Sequence, residues 1–169
     1  MDIVDCILAD HDRQRRMFIA LEDARGDKDA LGKMFKHLKD FLEAHAACEE
    51  KYFYPTLLKK GEGAVDSDSA EETTEDAIED HNKIAAALEE VMNHDPDSEA
   101  WWAAVDKANC QNSEHMAEEE RQGLTDFRRN VPVAQRAKLA VSYMAFEAAH
   151  PSDYERKEKD PETYIAQNS

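Results

Sequence analysis

The stretch His45-Ala46-Ala47-Cys48-Glu49 lies inside an apolar run with helical periodicity. Its histidine and its glutamate are four residues apart, so on a helix the two side chains share one face about one turn apart. Both side chains can therefore reach a common point inside a helical bundle. A single pair of this kind occurs by chance in many helices, but this pair is repeated later in the chain.

The composition of the 169-residue chain indicates one all-helical domain. Gly and Pro number only five each, and a chain of this length can bury a substantial core. The formal net charge of −17 argues against nucleic acid and anionic membrane surfaces as partners, because both require positive charge. The charge could favour the approach of cations, although solubility is the simpler explanation.

The cysteines and the N-terminus indicate a reducing compartment. Cys6, Cys48 and Cys110 are odd in number and far apart, and they form neither a zinc-type CxxC pair nor a disulfide framework. Residues 1–5 lack the pattern of a signal peptide, and no apolar run approaches the length of a membrane span. We therefore expect a cytoplasmic protein without membrane contacts.

Apolar residues at helical spacing predict a first helix over about residues 2–25 and a second over about 28–59. Gly26 ends the first helix, and Asp27 can cap the second. Pro55 is expected to bend or end the second helix, because proline cannot donate the helical hydrogen bond.

A flexible surface connection is predicted at residues 61–68. Ser69 and Glu72 then have the spacing of a capping box, which opens a third helix. This helix ends at about residues 93–96, and a fourth helix runs from about 96 to 129.

The predicted fold is an all-α, up-down-up-down four-helix bundle with an additional C-terminal helix. The bundle takes residues 1–130. The additional helix follows the break at Val131-Pro132, lies within residues 131–150 and ends at Pro151. Residues 151–169 form a charged tail, which is expected to be partly disordered.

The inward faces of the four bundle helices carry a duplicated pattern. Each of two helical hairpins has a lone histidine on its first helix and His-x-x-x-Glu on its second, with the two histidines 34 residues apart in both hairpins. Antiparallel packing would bring the four imidazoles and two carboxylates to one level of the core. The six residues are His11, His45, Glu49, His81, His115 and Glu119.

Burying these six groups in an apolar core requires a compensating partner, because an unpaired buried charge costs several kcal/mol. Neutral imidazole and ionised carboxylate are good donors to divalent metal ions of intermediate character. Any one histidine could be an ordinary core or surface residue, but six residues in duplicated register favour a pair of metal ions. The ferritin-like alternative needs two Glu-x-x-His motifs, whereas this sequence has Glu147 with His150 alone, at a helix end.

The arrangement closely resembles the hemerythrin-like, HHE cation-binding domain over about residues 1–130. The resemblance implies a non-haem di-iron centre, with an oxo or hydroxo bridge, in a four-helix bundle; zinc and manganese are the less favoured metals. By the same resemblance, one iron would be bound by His11 and His45, the other by His81 and His115, and the two would be bridged by Glu49 and Glu119.

The sequence departs from oxygen-carrying hemerythrin at one ligand. That protein has a further histidine one helical turn from the third-helix ligand, and the candidate positions here are Ala77 and Ala85. Each iron would then keep an open position. We therefore expect a metal-binding protein that reacts with peroxide or dioxygen at the iron pair, and whether it is an enzyme is left open.

Other functions fit the same residues. The site could be a non-enzymatic module that binds or senses iron, oxygen or nitric oxide, or the donors could hold zinc in a structural bundle. The expected partners are small molecules (dioxygen, peroxide or nitric oxide), and the sequence leaves a homodimer open.

Three residues near the site allow two interpretations each. Tyr52 could donate a hydrogen bond to Glu49 or be an ordinary core tyrosine. Arg15 could guard an entry path for an anion such as hydroperoxide, but a boundary position with the charged end in water is the simpler interpretation. His37 could be buried near the site, although no equivalent in the repeat supports a role as a ligand.

Two further ambiguities concern the second helix of each hairpin. Repeat symmetry favours Glu119 as the carboxylate of the second hairpin, and Glu120 is its chief rival. Cys48 could be a redox-active thiol, but a small buried hydrophobic residue is the favoured interpretation.

Overall fold

The computed structural model describes residues 1–63, 68–150 and 156–169. Within these ranges the chain forms eight helices and no strand, and the prediction of an all-α bundle with an additional helix is confirmed. The division of the chain at residues 130 and 150 stays a prediction. The helices are α1 (Ile3–Asp23), α2 (Lys28–Tyr52), α3 (Tyr54–Lys60), α4 (Ala70–Met92), α5 (Glu99–Arg121), α6 (Gly123–Asn130), α7 (Val133–Ala149) and α8 (Pro161–Asn168).

Side-chain caps define the starts of the four long helices of the bundle. Asp2, Asp27 and Ser98 each accept a hydrogen bond from a backbone N–H in the first turn of α1, α2 and α5. Ser69 and Glu72 form the predicted capping box of α4. These contacts satisfy N–H groups that have no partner inside the helix, so they favour one starting point for each helix.

Two predicted helices are interrupted. The second predicted helix breaks at Phe53, between α2 and α3, and the fourth breaks at Gln122, between α5 and α6. Pro55 lies in the first turn of α3, where its missing N–H is not needed. The break at Gln122 has no proline, and the periodicity of the sequence did not predict it.

The bundle consists of α1, α2, α4 and α5. In it α1 packs against α2 and α5, and α4 packs against α2 and α5. The additional helix α7 packs on α1 and α2. None of the described helices is long and apolar enough to cross a membrane.

The core has two hydrophobic clusters with polar residues between them. Along α1, Ile7 belongs to the first cluster and Phe18 to the second, and His11 lies between them. We call the first the tyrosine cluster and the second the tryptophan cluster. The tyrosine cluster includes Ile7, Phe53, Tyr54, Phe127 and Tyr143, and the tryptophan cluster includes Phe18, Phe35, Leu88, Trp101 and Trp102.

The predicted charged tail contains a helix where the structure describes it, and its partial disorder stays a prediction. Helix α8 packs against α3 and α4, and Tyr164 and Ile165 are buried. Asp160 caps the helix and Pro161 occupies its first turn. This pattern of one cap and two apolar residues is too short to stand out in a highly charged segment.

The described start of the predicted flexible connection is held in place by Asp126, a buried residue of α6. Its carboxylate accepts hydrogen bonds from the backbone N–H groups of Glu62 (3.2 Å) and Gly63 (3.0 Å). Residues 64–67 of that connection, and the predicted helix-ending Pro151, lie outside the described residues.

Gly61→Ala is expected to destabilise the protein by about 1–3 kcal/mol, whereas Gly32→Ala should stabilise it by about 0.5–1 kcal/mol. A Cβ at Gly61 would overlap the Asp126 carboxylate and lie 2.8 Å from the carbonyl oxygen of Leu57. At Gly32, inside α2, the nearest atom is Cγ of Pro96 at 3.6 Å. Chemical denaturation measures both changes, and an unchanged stability of Gly61→Ala would contradict the tight packing of this connection.

Candidate metal centre

All six predicted side chains lie in one buried layer between the tyrosine and tryptophan clusters. None of them is more than 4% exposed. The four bundle helices supply them: His11 from α1, His45 and Glu49 from α2, His81 from α4, and His115 and Glu119 from α5.

The first hairpin supplies a complete group of three donors. Nε2 of His45 lies 3.0 Å from Oε1 of Glu49, and Nε2 of His11 lies 3.9 Å from the same oxygen. The ligand atoms of these three residues all lie within 4.8 Å of one another, close enough to bind one ion. We call this group the first triad.

The second triad consists of Glu49, His81 and His115. Nε2 of His81 lies 3.1 Å from Nε2 of His115 and 3.4 Å from Oε2 of Glu49. The two oxygens of Glu49 therefore face different triads. This is the arrangement that a bridging carboxylate needs.

Glu119 faces the layer, and its neighbour Glu120 does not. Oε2 of Glu119 lies 3.2 Å from Nε2 of His11, and its Oε1 accepts a hydrogen bond from the Tyr54 hydroxyl (2.6 Å). The carboxylate of Glu120 lies behind the ring of His11 and pairs with Arg15 (2.7 Å). The geometry thus favours Glu119 over Glu120 as a donor, and its role as a second bridge stays a prediction.

A carboxylate lies near Nδ1 of each of the four histidines in the layer. Within hydrogen-bond distance, as at His11, His45 and His81, such a carboxylate can accept the Nδ1–H proton and so leave Nε2 to face the layer. The arrangement has a repeat of 70 residues, because Asp10, His11, His45 and Glu50 correspond to Asp80, His81, His115 and Glu120. The four pairs are His11–Glu120 (2.9 Å), His45–Asp10 (3.3 Å), His81–Glu50 (2.9 Å) and His115–Asp80 (3.8 Å).

The atoms that face the layer include buried donors and acceptors without a hydrogen-bond partner among the described residues. They are Nε2 of His11, Nε2 of His45, both carboxylate oxygens of Glu49 and Oε2 of Glu119. An unsatisfied buried polar atom costs about 1–3 kcal/mol. Imidazole nitrogens and carboxylate oxygens are ligands for divalent cations of intermediate character. The residues therefore fit a bound metal pair, which would satisfy these atoms.

The carboxylates make the layer attractive to positive charge. Burial alone would lower the pKa of His45, but the charge of Glu49 and the hydrogen bond with Asp10 raise it well above its ordinary value. Burial and the charge of His81 lower the pKa of His115 well below its ordinary value. A metal ion that bound His45 would replace its proton, and the proton would be released to solvent.

Three neighbouring residues do not take the site roles that were considered from the sequence. Tyr52 is half-buried and packs edge-on against Phe146, and the oxygens of Glu49 accept no hydrogen bond from it. His37 is exposed near Arg13 (3.3 Å) and is not buried beside the site. The thiol of Cys48 is buried and donates to the Tyr143 carbonyl (3.5 Å), and burial raises its pKa.

Several residues that support the site were not identified from the sequence. The hydroxyl of Tyr143, from α7, donates to Asp10 (2.7 Å) and lies 2.8 Å from Nδ1 of His45. Tyr54 donates to Glu119, and Arg156 donates to Glu50. In the sequence, an aspartate precedes both His11 and His81, and this shared pair is the signal from which Asp10 and Asp80 could have been found.

Comparison with known families agrees with this geometry. The model of the hemerythrin HHE cation-binding domain matches residues 2–124. This range includes all six layer residues and the four carboxylates beside the ring Nδ1 atoms, which we call the outer carboxylates: Asp10, Glu50, Asp80 and Glu120. Neither a curated protein nor a solved structure matches the chain. Since the matched range covers more than half of its length, the chain belongs to the hemerythrin HHE cation-binding family.

Proposed function

We propose that the protein binds two iron ions, one at each triad, and reacts there with peroxide or dioxygen. The observation that carries the proposal is the position of Glu49, whose two oxygens are buried, lack hydrogen-bond partners among the described residues and face different triads. Two ions that shared this carboxylate would be held close together. Such a pair can supply two electrons to a small oxidant.

The donor set favours iron over metals that prefer thiolates or oxygen ligands alone. Each triad offers two imidazoles and one carboxylate oxygen, which suits iron and related divalent ions. Zinc can use the same donors but prefers four-coordinate sites. With two histidines at each ion, a six-coordinate metal keeps positions for an exogenous ligand.

The chain's own residues prepare the layer for this ligand set. Three of the four outer carboxylates hydrogen-bond to a ring Nδ1 and orient that ring, and Tyr54 fixes one oxygen of Glu119 by donating to it. The hydrophobic clusters on both sides keep bulk water away from the layer. Orientation and exclusion of water are contributions that a protein makes to a redox-active metal site.

A small cavity beside the second triad supports a small reactant. Its volume is about 20 Å³, and the walls come from the bundle helices and Arg156. A space of this size suits a molecule of one or two heavy atoms. Ala85, a candidate position for the missing seventh histidine, is part of the wall. The lining includes His45, His81, His115, Leu42, Ile84 and Ala85.

The test is metal analysis followed by a peroxide assay. Protein expressed with ample iron is expected to hold two iron ions per chain and to consume hydrogen peroxide in proportion to its iron content. His81→Ala should lower this consumption to background, because it removes one of the two imidazoles of the second triad. His94→Ala, which changes a half-buried histidine outside the layer that pairs with Glu90, should retain it. Zinc alone, or no metal, would overturn the iron assignment, and an inert iron-loaded protein would overturn the reactivity.

A further inference from the structure

Glu50 connects the metal layer to the segment 156–169, which lies beyond the matched family range. One of its oxygens, Oε1, is 2.9 Å from Nδ1 of His81, whose other nitrogen faces the layer. Glu50 is 3% exposed. Whatever holds this carboxylate therefore also determines how the ring of His81 is oriented.

Arg156 holds Glu50 from inside the protein. Its Nε donates to Oε1 of Glu50 (2.7 Å), and its Nη1 donates to Oδ1 of Asn82 (2.8 Å). The side chain of Arg156 is 1% exposed. Lys159 pairs with the other oxygen of Glu50, and the Tyr164 hydroxyl donates to the Glu50 carbonyl oxygen. The C-terminal segment thus makes contacts with both oxygens of one carboxylate.

Comparison of the two copies of the 70-residue repeat shows why Glu50 takes its arginine partner from the C-terminal segment. In the equivalent group, Glu120 lies behind His11 and pairs with Arg15, which comes from the same helix as His11. The residue equivalent to Arg15 on α4 is Ala85. The second hairpin therefore has no arginine at this position, and Arg156 supplies a guanidinium to Glu50 from the C-terminal segment. Ala85 and Arg156 line the same cavity beside the second triad.

The two arginines differ in environment. The side chain of Arg15 is 44% exposed, and that of its partner Glu120 is 30% exposed, whereas Arg156 and Glu50 are almost completely buried. A buried ion pair gives little net stability, because removing both charges from water is costly. Its hydrogen bonds do fix the position of the groups involved, and water competes with them less than at an exposed pair.

We propose that Arg156 is a positioning residue of the metal centre: it holds Glu50 so that the contact between Glu50 and Nδ1 of His81 fixes the ring and directs Nε2 at the second triad. That His81 binds a metal rests on the proposed function. The orientation of His81 does not depend on it, because the contacts are present between protein groups alone.

Nuclear magnetic resonance of the full-length, metal-free protein labelled with ¹⁵N-histidine tests the contact between Glu50 and His81 directly. In the unmodified protein Nδ1 of His81 is expected to carry a proton that is hydrogen-bonded to Glu50 and exchanges slowly with water. In Arg156→Met the Nδ1–H signal should shift and exchange faster, because Glu50 is held less firmly. In Arg156→Lys the shift should be smaller, because lysine keeps the charge but cannot donate to Glu50 and Asn82 with one planar group.

Iron release gives the second measurement. Iron(II)-loaded protein mixed with an iron(II) chelator should lose iron from the second triad at least tenfold faster in Arg156→Met, a change typical for loss of a partner that orients a ligand. Arg15→Met should shift the signals of His11 and leave those of His81 unchanged. Lys157→Met, a change at the exposed neighbouring residue, should behave like the unmodified protein.

The outcomes separate this proposal from the proposed function. Unchanged His81 signals in Arg156→Met, or the absence of a proton on Nδ1 in the unmodified protein, would overturn the positioning role even if iron binds. Absence of iron binding would overturn the proposed function and leave the result for His81 valid. If Arg156→Met does not fold, Arg156→Lys and Lys159→Met replace it, and unchanged His81 signals in both would overturn the proposal.

Discussion

Glu49→Gln is expected to remove most of the bound metal from both triads, which makes it the most damaging single substitution in the layer. Its two oxygens lie 3.0 Å from Nε2 of His45 and 3.4 Å from Nε2 of His81. Glutamine has nearly the same shape but no charge, and its NH₂ group would point hydrogens at one of the two ions. Losing a residue that only orients a metal ligand typically lowers the metal affinity by about 10–100-fold. We expect the loss in Glu49→Gln to be larger.

Metal content per chain, measured after purification with equal iron supply, tests this expectation. Asp126→Asn is the matched control, because it neutralises another buried carboxylate, which binds the connection at Glu62 and Gly63. The control should hold as much metal as the unmodified protein. Full metal content in Glu49→Gln would contradict the shared position of Glu49 between the triads.

Removal of the metal is expected to lower the Tm by about 10 °C. An ion present at about 1,000 times its Kd stabilises the folded state by about 4 kcal/mol, and about 1 kcal/mol corresponds to roughly 2–4 °C in a chain of this size. The physical reason is the set of buried atoms at the layer that have no hydrogen-bond partner among the described residues, on His11, His45, Glu49 and Glu119.

Thermal unfolding followed by circular dichroism, with and without a chelator, measures the difference. Glu49→Gln provides the control: its Tm should respond weakly to the chelator, since it binds little metal. An equal Tm with and without the chelator would contradict the expectation that bound metal stabilises the buried polar atoms of the layer.

The six layer residues could be predicted because the pattern that identifies them is local in the sequence and occurs twice. The spacing from His45 to Glu49 depends only on the helical repeat, and the second copy at His115 and Glu119 gives independent support. Apolar periodicity likewise predicted the bundle helices, since each of them buries one face. These features arise from neighbours within one or two helical turns.

The groups that complete the site could not be predicted in the same way. Arg156 reaches Glu50 across 106 positions of sequence, and Tyr143 reaches Asp10 across 133. Such contacts depend on how separate helices pack, and a charged residue gives no sign in the sequence that it will be buried. The break at Gln122 was missed for a related reason, because the inward pattern continues through it into α6.

The division of the core into a tyrosine cluster and a tryptophan cluster has a consequence for cooperativity. Along α1 the apolar contacts of Ile7 and Phe18 belong to different clusters, and the polar layer between them contributes little hydrophobic attraction when no ion is bound. Metal ions at the triads would cross-link α1, α2, α4 and α5 at this level and couple the two ends of the bundle. We expect amide hydrogen exchange to show that the metal-loaded protein opens as one cooperative unit. In the metal-free protein the two ends of the bundle should open separately, with the boundary at the layer.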